Sequence, residues 1–327
     1  MKTYYQDGTM ADVQYILTEK EQFAIQCHTT KEHEVIFYQN DTLVWDVQAE
    51  LVVLYDKFRD LYFSDLDLYY REHSNMPAGL LKGGQSSDIL IGKESFEKLK
   101  DKFEPFFLSL NKHIYVNDCQ YLVSTVQNLI HSVEYCFIQY FIKLSQIEVS
   151  DTFINESDVL QVNSQQSMDL VFYVETFFTK IYSVLDMMVK IVYELENPLN
   201  TFHNMSKLKS AEKLWGDRKR IQINKLANSI FEDCTTIKMI ESLRNEVVHN
   251  GSWEFRPSVY LKFVNNEVTE RYMLFPDFYE GRLSTVKNRK HFFSTDTKVN
   301  DILIRIHDEF YTKLLFTLKK INYTKYI

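Results

Sequence analysis

Hydrophobic spacing divides the chain into an irregular beginning and a series of long helices. Between residues 12 and 38 apolar positions come in short alternating runs, among them Gln14-Tyr15-Ile16-Leu17 and Glu34-Val35-Ile36-Phe37-Tyr38, which predicts two or three strands. From Asp41 the interval changes: Leu43, Val47, Leu51, Leu54, Phe58, Leu61 and Leu66 recur at helical spacing, predicting one helix to about Tyr70. The stretch from Pro77 to Gly92 holds Gly79, Gly83, Gly84 and Gly92 with almost no bulky core residue, and reads as a loop and a subdomain boundary.

Two long amphipathic helices follow. The first is expected over 118–147, with Leu122, Val126, Leu129, Val133, Phe137 and Leu144 on one face. The second is expected over 166–196, where Val171, Val174, Phe178, Ile181, Leu185, Met188, Val192 and Leu195 form a near-continuous seam that Asn197-Pro198 ends. A basic helical segment over about 205–231 leads to a helix from Cys234 or Thr235 to Asn250, closed by Gly251. Residues 258–275 alternate around Asn265-Asn266 and predict a hairpin. A last helix over 299–321 carries Leu303, Ile306, Phe310 and Leu314. The expected architecture is mainly α: an up-and-down four-helix bundle over 96–327 with an inserted β-hairpin, preceded over 1–95 by an α/β extension of short strands plus one long helix.

Composition narrows the function classes. Of 327 residues 45% are apolar and 25% charged, enough for a sizeable core and against wholesale disorder. The net charge of −8 excludes a protein that coats nucleic acid over its whole surface, so any such contact must be local. Cys27, Cys119, Cys136 and Cys234 include no CxxC pair, and the nine histidines include no HxH or HExxH spacing, so neither a disulfide framework nor a zinc site is expected, and no cofactor. The first 14 residues lack the apolar core of a secretory leader, and no apolar run is long enough to span a bilayer. The expectation is a reduced, cytoplasmic protein with no membrane partner.

One string carries candidate chemistry: Leu243-Arg244-Asn245-Glu246-Val247-Val248-His249-Asn250-Gly251, at the end of a helix. Arg and His five apart lie about 140° apart around an α-helix. Because Arg is long and His249 sits in the last turn, where the backbone is free to unwind, both are expected to reach one phosphate. Glu246 reads as a surface charge. Upstream, Lys207, Lys209, Lys213, Arg218, Lys219 and Arg220 form a basic block with Trp215 inside it, a candidate contact for an RNA backbone and a base. The competing reading is a solvated helix face with Trp215 docked inward. Arg282, Lys287, Arg289 and Lys290 form a weaker second cluster.

Arg244-Asn245-x-x-x-His249 resembles the R-x4–6-H signature of the HEPN family (higher eukaryotes and prokaryotes nucleotide-binding), in which a polar residue often follows the Arg. The stretch from Phe177 to Asp186 is similar to the "LD" segment of several HEPN branches. The resemblance covers roughly residues 118–322. It implies a four-helix domain that dimerises so that two Arg–His pairs face each other and cleaves RNA without metal. Arg244 and His249 would be the catalytic pair, Asn245 would support them, and Asp186 would accept a hydrogen bond from one of them. By family analogy the role would be a defence or toxin effector, restrained by an antitoxin or other regulatory partner.

The chemistry is consistent with those residue types. RNA cuts itself when its 2′-OH attacks the adjacent phosphate, given a base for that proton and an acid for the leaving oxygen. Histidine serves both tasks near neutral pH, but one imidazole cannot begin in both states, so two chains are needed. Two alternatives remain at this stage: a non-catalytic HEPN-like module that binds nucleotide or RNA or scaffolds a partner, and a helical interaction protein with no nucleic-acid role. In the latter, Lys207 to Lys225 is mere surface; as a separate alternative for the pair itself, Arg244 and His249 simply favour the negative end of a helix.

Overall fold

The computed structural model describes residues 41–147, 158–208, 221–223, 226–265 and 267–324, together with four short strands among the first 40 positions. Those strands are β1 (Lys2–Tyr4) with β2 (Met10–Asp12), and β3 (Ile16–Leu17) with β4 (Phe23–Ala24), two antiparallel pairs. The expected strand at Glu34–Tyr38 lies outside the described residues. The remaining chain is mainly helical, with a small antiparallel sheet.

The helices are α1 (Asp41–Tyr62), α2 (Leu66–Asn75), α3 (Ala78–Lys82), α4 (Lys93–Phe103), α5 (Leu110–Ser145), α6 (Gln165–Glu196), α7 (Thr235–Asn250) and α8 (Val299–Tyr323). The single helix expected over 41–70 is two, because the Asp65 carboxylate accepts from Leu68 N at 2.9 Å and starts a new helix. The expected loop at Pro77–Gly92 contains α3, whose Leu80 is only 1% exposed and packs with Met76, Leu110 and Ile114. The glycines there had masked a short helix with one anchoring side chain. α5 begins eight residues earlier than expected, at Leu110 rather than 118. The basic segment is not helical where it is described: 201–208 is irregular and 226–234 consists of turns and extended backbone, while 209–220 lies outside the described residues.

The chain divides into two compact units, each discontinuous in sequence. The first comprises Met1–Trp45, Leu129–Val184 and Ala227–Leu314; the second comprises Asp46–Asn128, Leu185–Leu226 and Leu315–Ile327. The boundary expected at residue 95 falls inside the second unit.

Within the first unit four helices close a ring of contacts. α5 meets α6 through Phe137 and Phe177, with centroids 6.1 Å apart, and meets α8 where His307 stacks on Phe137 at 4.4 Å and bonds Glu134 at 2.8 Å. Thr236 of α7 donates to Glu309 of α8, and Arg244 of α7 covers Tyr182 of α6. The apolar stripe of α8, with Leu303, Ile306, Phe310 and Leu314 all buried, contributes to the core between these helices. Beside it β6 (Val259–Val264) and β7 (Glu267–Tyr272) form the expected hairpin, Asn265 taking the left-handed φ of +53° that its short polar side chain tolerates. The sheet has a third strand that hydrophobic spacing did not signal. This is β5 (Val159–Val162), antiparallel to β6 with Val162 opposite Val259. Its four residues are too short to establish a period. β8 (Phe278–Tyr279) and β9 (Arg282–Leu283) make a further small pair.

The second unit centres on Tyr62, Tyr115 and Phe202, whose rings lie 5.5 to 5.7 Å apart. α1 is fastened there by Tyr55, which donates to Gln127 at 2.7 Å, and by Lys57, which donates to the carbonyls of Ile321, Asn322 and Thr324 at the end of α8.

Candidate functional site

α7 carries the Arg–His string. Ile237, Ile240 and Leu243 recur at helical spacing and bury one face, which fixes the rotation of the helix and therefore where each polar residue points. Asn245 and His249, four apart, share the exposed side with Val248. Arg244, at the flank, lays its guanidinium carbon 4.7 Å from the centroid of the Tyr182 ring and donates from Nη1 to Asn245 Oδ1 at 2.9 Å. Among the described residues no carboxylate pairs with Arg244. A guanidinium held by a ring face and an amide keeps most of its five donors for an incoming anion.

Glu246 overturns the surface-charge expectation. It is 7% exposed, accepts from Lys290 Nζ at 3.1 Å and from Asn250 Nδ2 at 3.0 Å, and its second oxygen lies 3.4 Å from His291 Nε2. The helix turns it inward, and a buried carboxylate needs such partners. Lys290, counted in the sequence with a basic surface cluster, is thus partly spent on an internal pair. The result fastens the 290–291 segment to the last two turns of α7.

His249 is exposed in the last turn, and among the described residues its imidazole makes no hydrogen bond. The freedom to unwind that the last turn offers is not used. α7 stays regular to Asn250, Gly251 N donates to Val247 O at 3.1 Å, and Gly251 takes a φ of +91° that ends the helix sharply. Within one chain Arg244 and His249 therefore remain about 140° apart around the axis. The exit from the helix is equally fixed: Trp253 is buried, and Ser252 Oγ donates to Glu175 of α6. Burial pushes the Glu175 carboxyl up, and the bonds from Ser252 and the Trp253 backbone oppose that only in part.

The other sequence candidates are placed less centrally. Asp186 is half-buried on α6 in the second unit, whereas Arg244, Asn245 and His249 belong to the first. Lys207 is exposed in the irregular segment after α6, also in the second unit. Lys209, Lys213, Arg218, Lys219 and Arg220 lie outside the described residues, as does Trp215. Among the described residues no group of three or more His, Cys, Asp or Glu is arranged to hold a metal, and no helix is long and apolar enough to cross a membrane.

Tyr182 is the participant that residue patterning missed, and Lys290 is the one it read as part of a surface cluster. Tyr182 lies within the aromatic stretch of α6 that carried the family resemblance, yet nothing in its spacing distinguished it from core. Chemically, the α7 end offers a guanidinium for negative charge, an amide beside it and a solvent-open imidazole, all on a rigid support. No protein-family model matches the chain, and neither does any curated protein or any solved structure.

Proposed function

We propose that the chain is an endoribonuclease of HEPN type that works as a homodimer and needs no metal. The observation that carries the reading is the state of the α7 end: Arg244 is positioned by Tyr182 and Asn245 with no paired carboxylate among the described residues, and His249 is exposed on the same regular helix. Because the two side chains of one chain diverge, a phosphodiester would be gripped between two copies. One protomer's His249 takes the 2′-OH proton as the 2′ oxygen bonds to phosphorus. The other protomer's His249 protonates the 5′ oxygen as its bond to phosphorus breaks, leaving a 2′,3′-cyclic phosphate and a 5′-OH. Arg244 offers its donors to the non-bridging oxygens as their charge builds.

The test is cleavage of RNA by the purified chain in EDTA. Arg244→Ala and His249→Ala are each expected to reduce kcat by about 100-fold or more, with melting temperature and dimer content unchanged. Full-rate cleavage by both variants rejects the reading. A second reading, RNA or nucleotide binding without turnover, draws on the same divergence of Arg244 and His249, since a lone guanidinium holds an anion without needing an imidazole. Salt-dependent binding with intact RNA after long incubation would favour it. A defence or toxin role, and an antitoxin partner, rest on family analogy.

A further inference from the structure

A groove of about 370 Å³ runs between α5 and α6 in the first unit, lined in part by His131, Tyr135, Phe172, Tyr173, Thr176 and Lys180. Its walls are mostly aromatic. Tyr135 and Phe172 are 57% and 62% exposed, and both meet Tyr173 edge to face, at 6.3 Å and 5.6 Å. Rings left so open in contact with one another form a ready shelf for a further flat ring, because their preferred offset and edge geometries are already set. Lys180 is half-buried at this groove, and among the described residues no carboxylate pairs with it; His131 is exposed beside it. The two acids on the adjoining stretch of α6 are engaged elsewhere, Asp169 accepting from Gln165 and Glu175 from Ser252. Exposed aromatic faces beside a cation that pairs with no carboxylate among the described residues complement an aromatic group that carries an anion, which is the chemistry of a nucleotide.

We infer that this groove stacks an unpaired base of single-stranded RNA on Tyr135 and Phe172 while Lys180 holds the adjoining phosphate. The inference rests on the RNA reading above and deepens it by naming the substrate class: stacking needs an exposed base face, so the groove accepts single strands and rejects duplex. An apolar peptide or a second copy of the chain is less well matched, since neither calls for the cation.

The experiment measures binding of a fluorescent oligoadenylate of about ten nucleotides, and of a duplex of equal length, by the full chain carrying His249→Ala to prevent cleavage. Phe172→Ala and Tyr135→Ala are each expected to weaken single-strand binding by about tenfold or more, with duplex binding unaltered, while Phe172→Tyr retains affinity. Lys180→Gln is expected to lower the slope of log affinity against log salt by about 0.7. Both aromatic positions are solvent-facing, so circular dichroism should report unchanged folding. Unaltered single-strand affinity in both alanine variants overturns the inference, as does loss of self-association in them, which would assign the groove to a second copy. If the unsubstituted chain binds no RNA at any salt, the RNA reading falls too. If it cleaves RNA and the groove variants do so with the same KM, the groove inference alone fails.

Discussion

The Lys290 ammonium lies 3.1 Å from the carboxylate of Glu246, a residue that stands between Arg244 and His249 in sequence yet points into the protein. The pair makes the end of α7 a fixed platform rather than a fraying terminus. Glu246→Ala leaves Lys290 and Asn250 without their acceptor, and the expected loss is about 1.5 to 3 kcal/mol of stability, read as a lower urea midpoint with an unchanged slope. Glu246→Gln should lose less, since it still accepts from Lys290. If the alanine variant melts like the parent, the pair is not structural.

Tyr182 touches the candidate chemistry through Arg244, whose guanidinium lies over its ring. Removing the ring in Tyr182→Ala frees the guanidinium to wander, and cleavage is expected to fall by about three- to thirty-fold, the range of a cation–π contact. Tyr182→Phe keeps the ring face and should retain most of the rate. A fall confined to kcat marks positioning in the transition state; a rise in KM alone would mean that Arg244 is merely a ground-state tether.

His307 makes stability depend on alkaline pH. Burial alone would drive its imidazole toward neutrality, but hydrogen bonds to Asp308 and Glu134, with the attraction of both charges, outweigh burial and raise it to about 9. A folded-state value above the unfolded one means the stabilisation is complete below the unfolded value, about 6.5, and is lost as pH rises through about 9. Melting temperature should therefore fall between pH 7 and about 10, and Glu134→Gln should flatten that fall. His113 behaves oppositely: burial holds it down to about 4 despite its bond to Glu72. It therefore stays neutral throughout this window and cannot produce the effect.

Under the proposed mechanism a site completed by two chains would make an inactive chain an inhibitor. When wild-type and His249→Ala chains are refolded together in equal amounts, half of the dimers are mixed and lack one imidazole. Cleavage should then drop to about half of that given by the same wild-type chain refolded alone. Unchanged cleavage would mean that each chain acts by itself.

The long elements were legible because their apolar periods run over many turns. The seam of α6 and the stripe of α8 appear where Val174, Ile181 and Leu185, or Ile306 and Phe310, place them. Short elements were not: α3 hides between glycines, and β5 offers four residues whose pairing partner lies about a hundred positions away. Of the candidate site, Arg244, Asn245 and His249 could be read from type and spacing. The inward turn of Glu246 could not, because a carboxylate on a helix reads as solvated until the groups that face it, here Lys290 and His291, are brought in by the fold. The two-unit division was equally hidden, since it cuts α1, α5, α6 and α8, and no cut falls in the glycine-rich stretch at 77–92 that composition marks.

The regularity of α7 up to Asn250 has one more consequence. Under the proposed mechanism, a helix that aims its reactive groups in different directions would keep a solitary molecule inert, whatever the acidity or reactivity of each group. Under the proposed mechanism catalytic output in dilute solution would climb with the square of protein abundance, so that the cell's dose of the polypeptide, and not only an inhibitor, would act as the trigger.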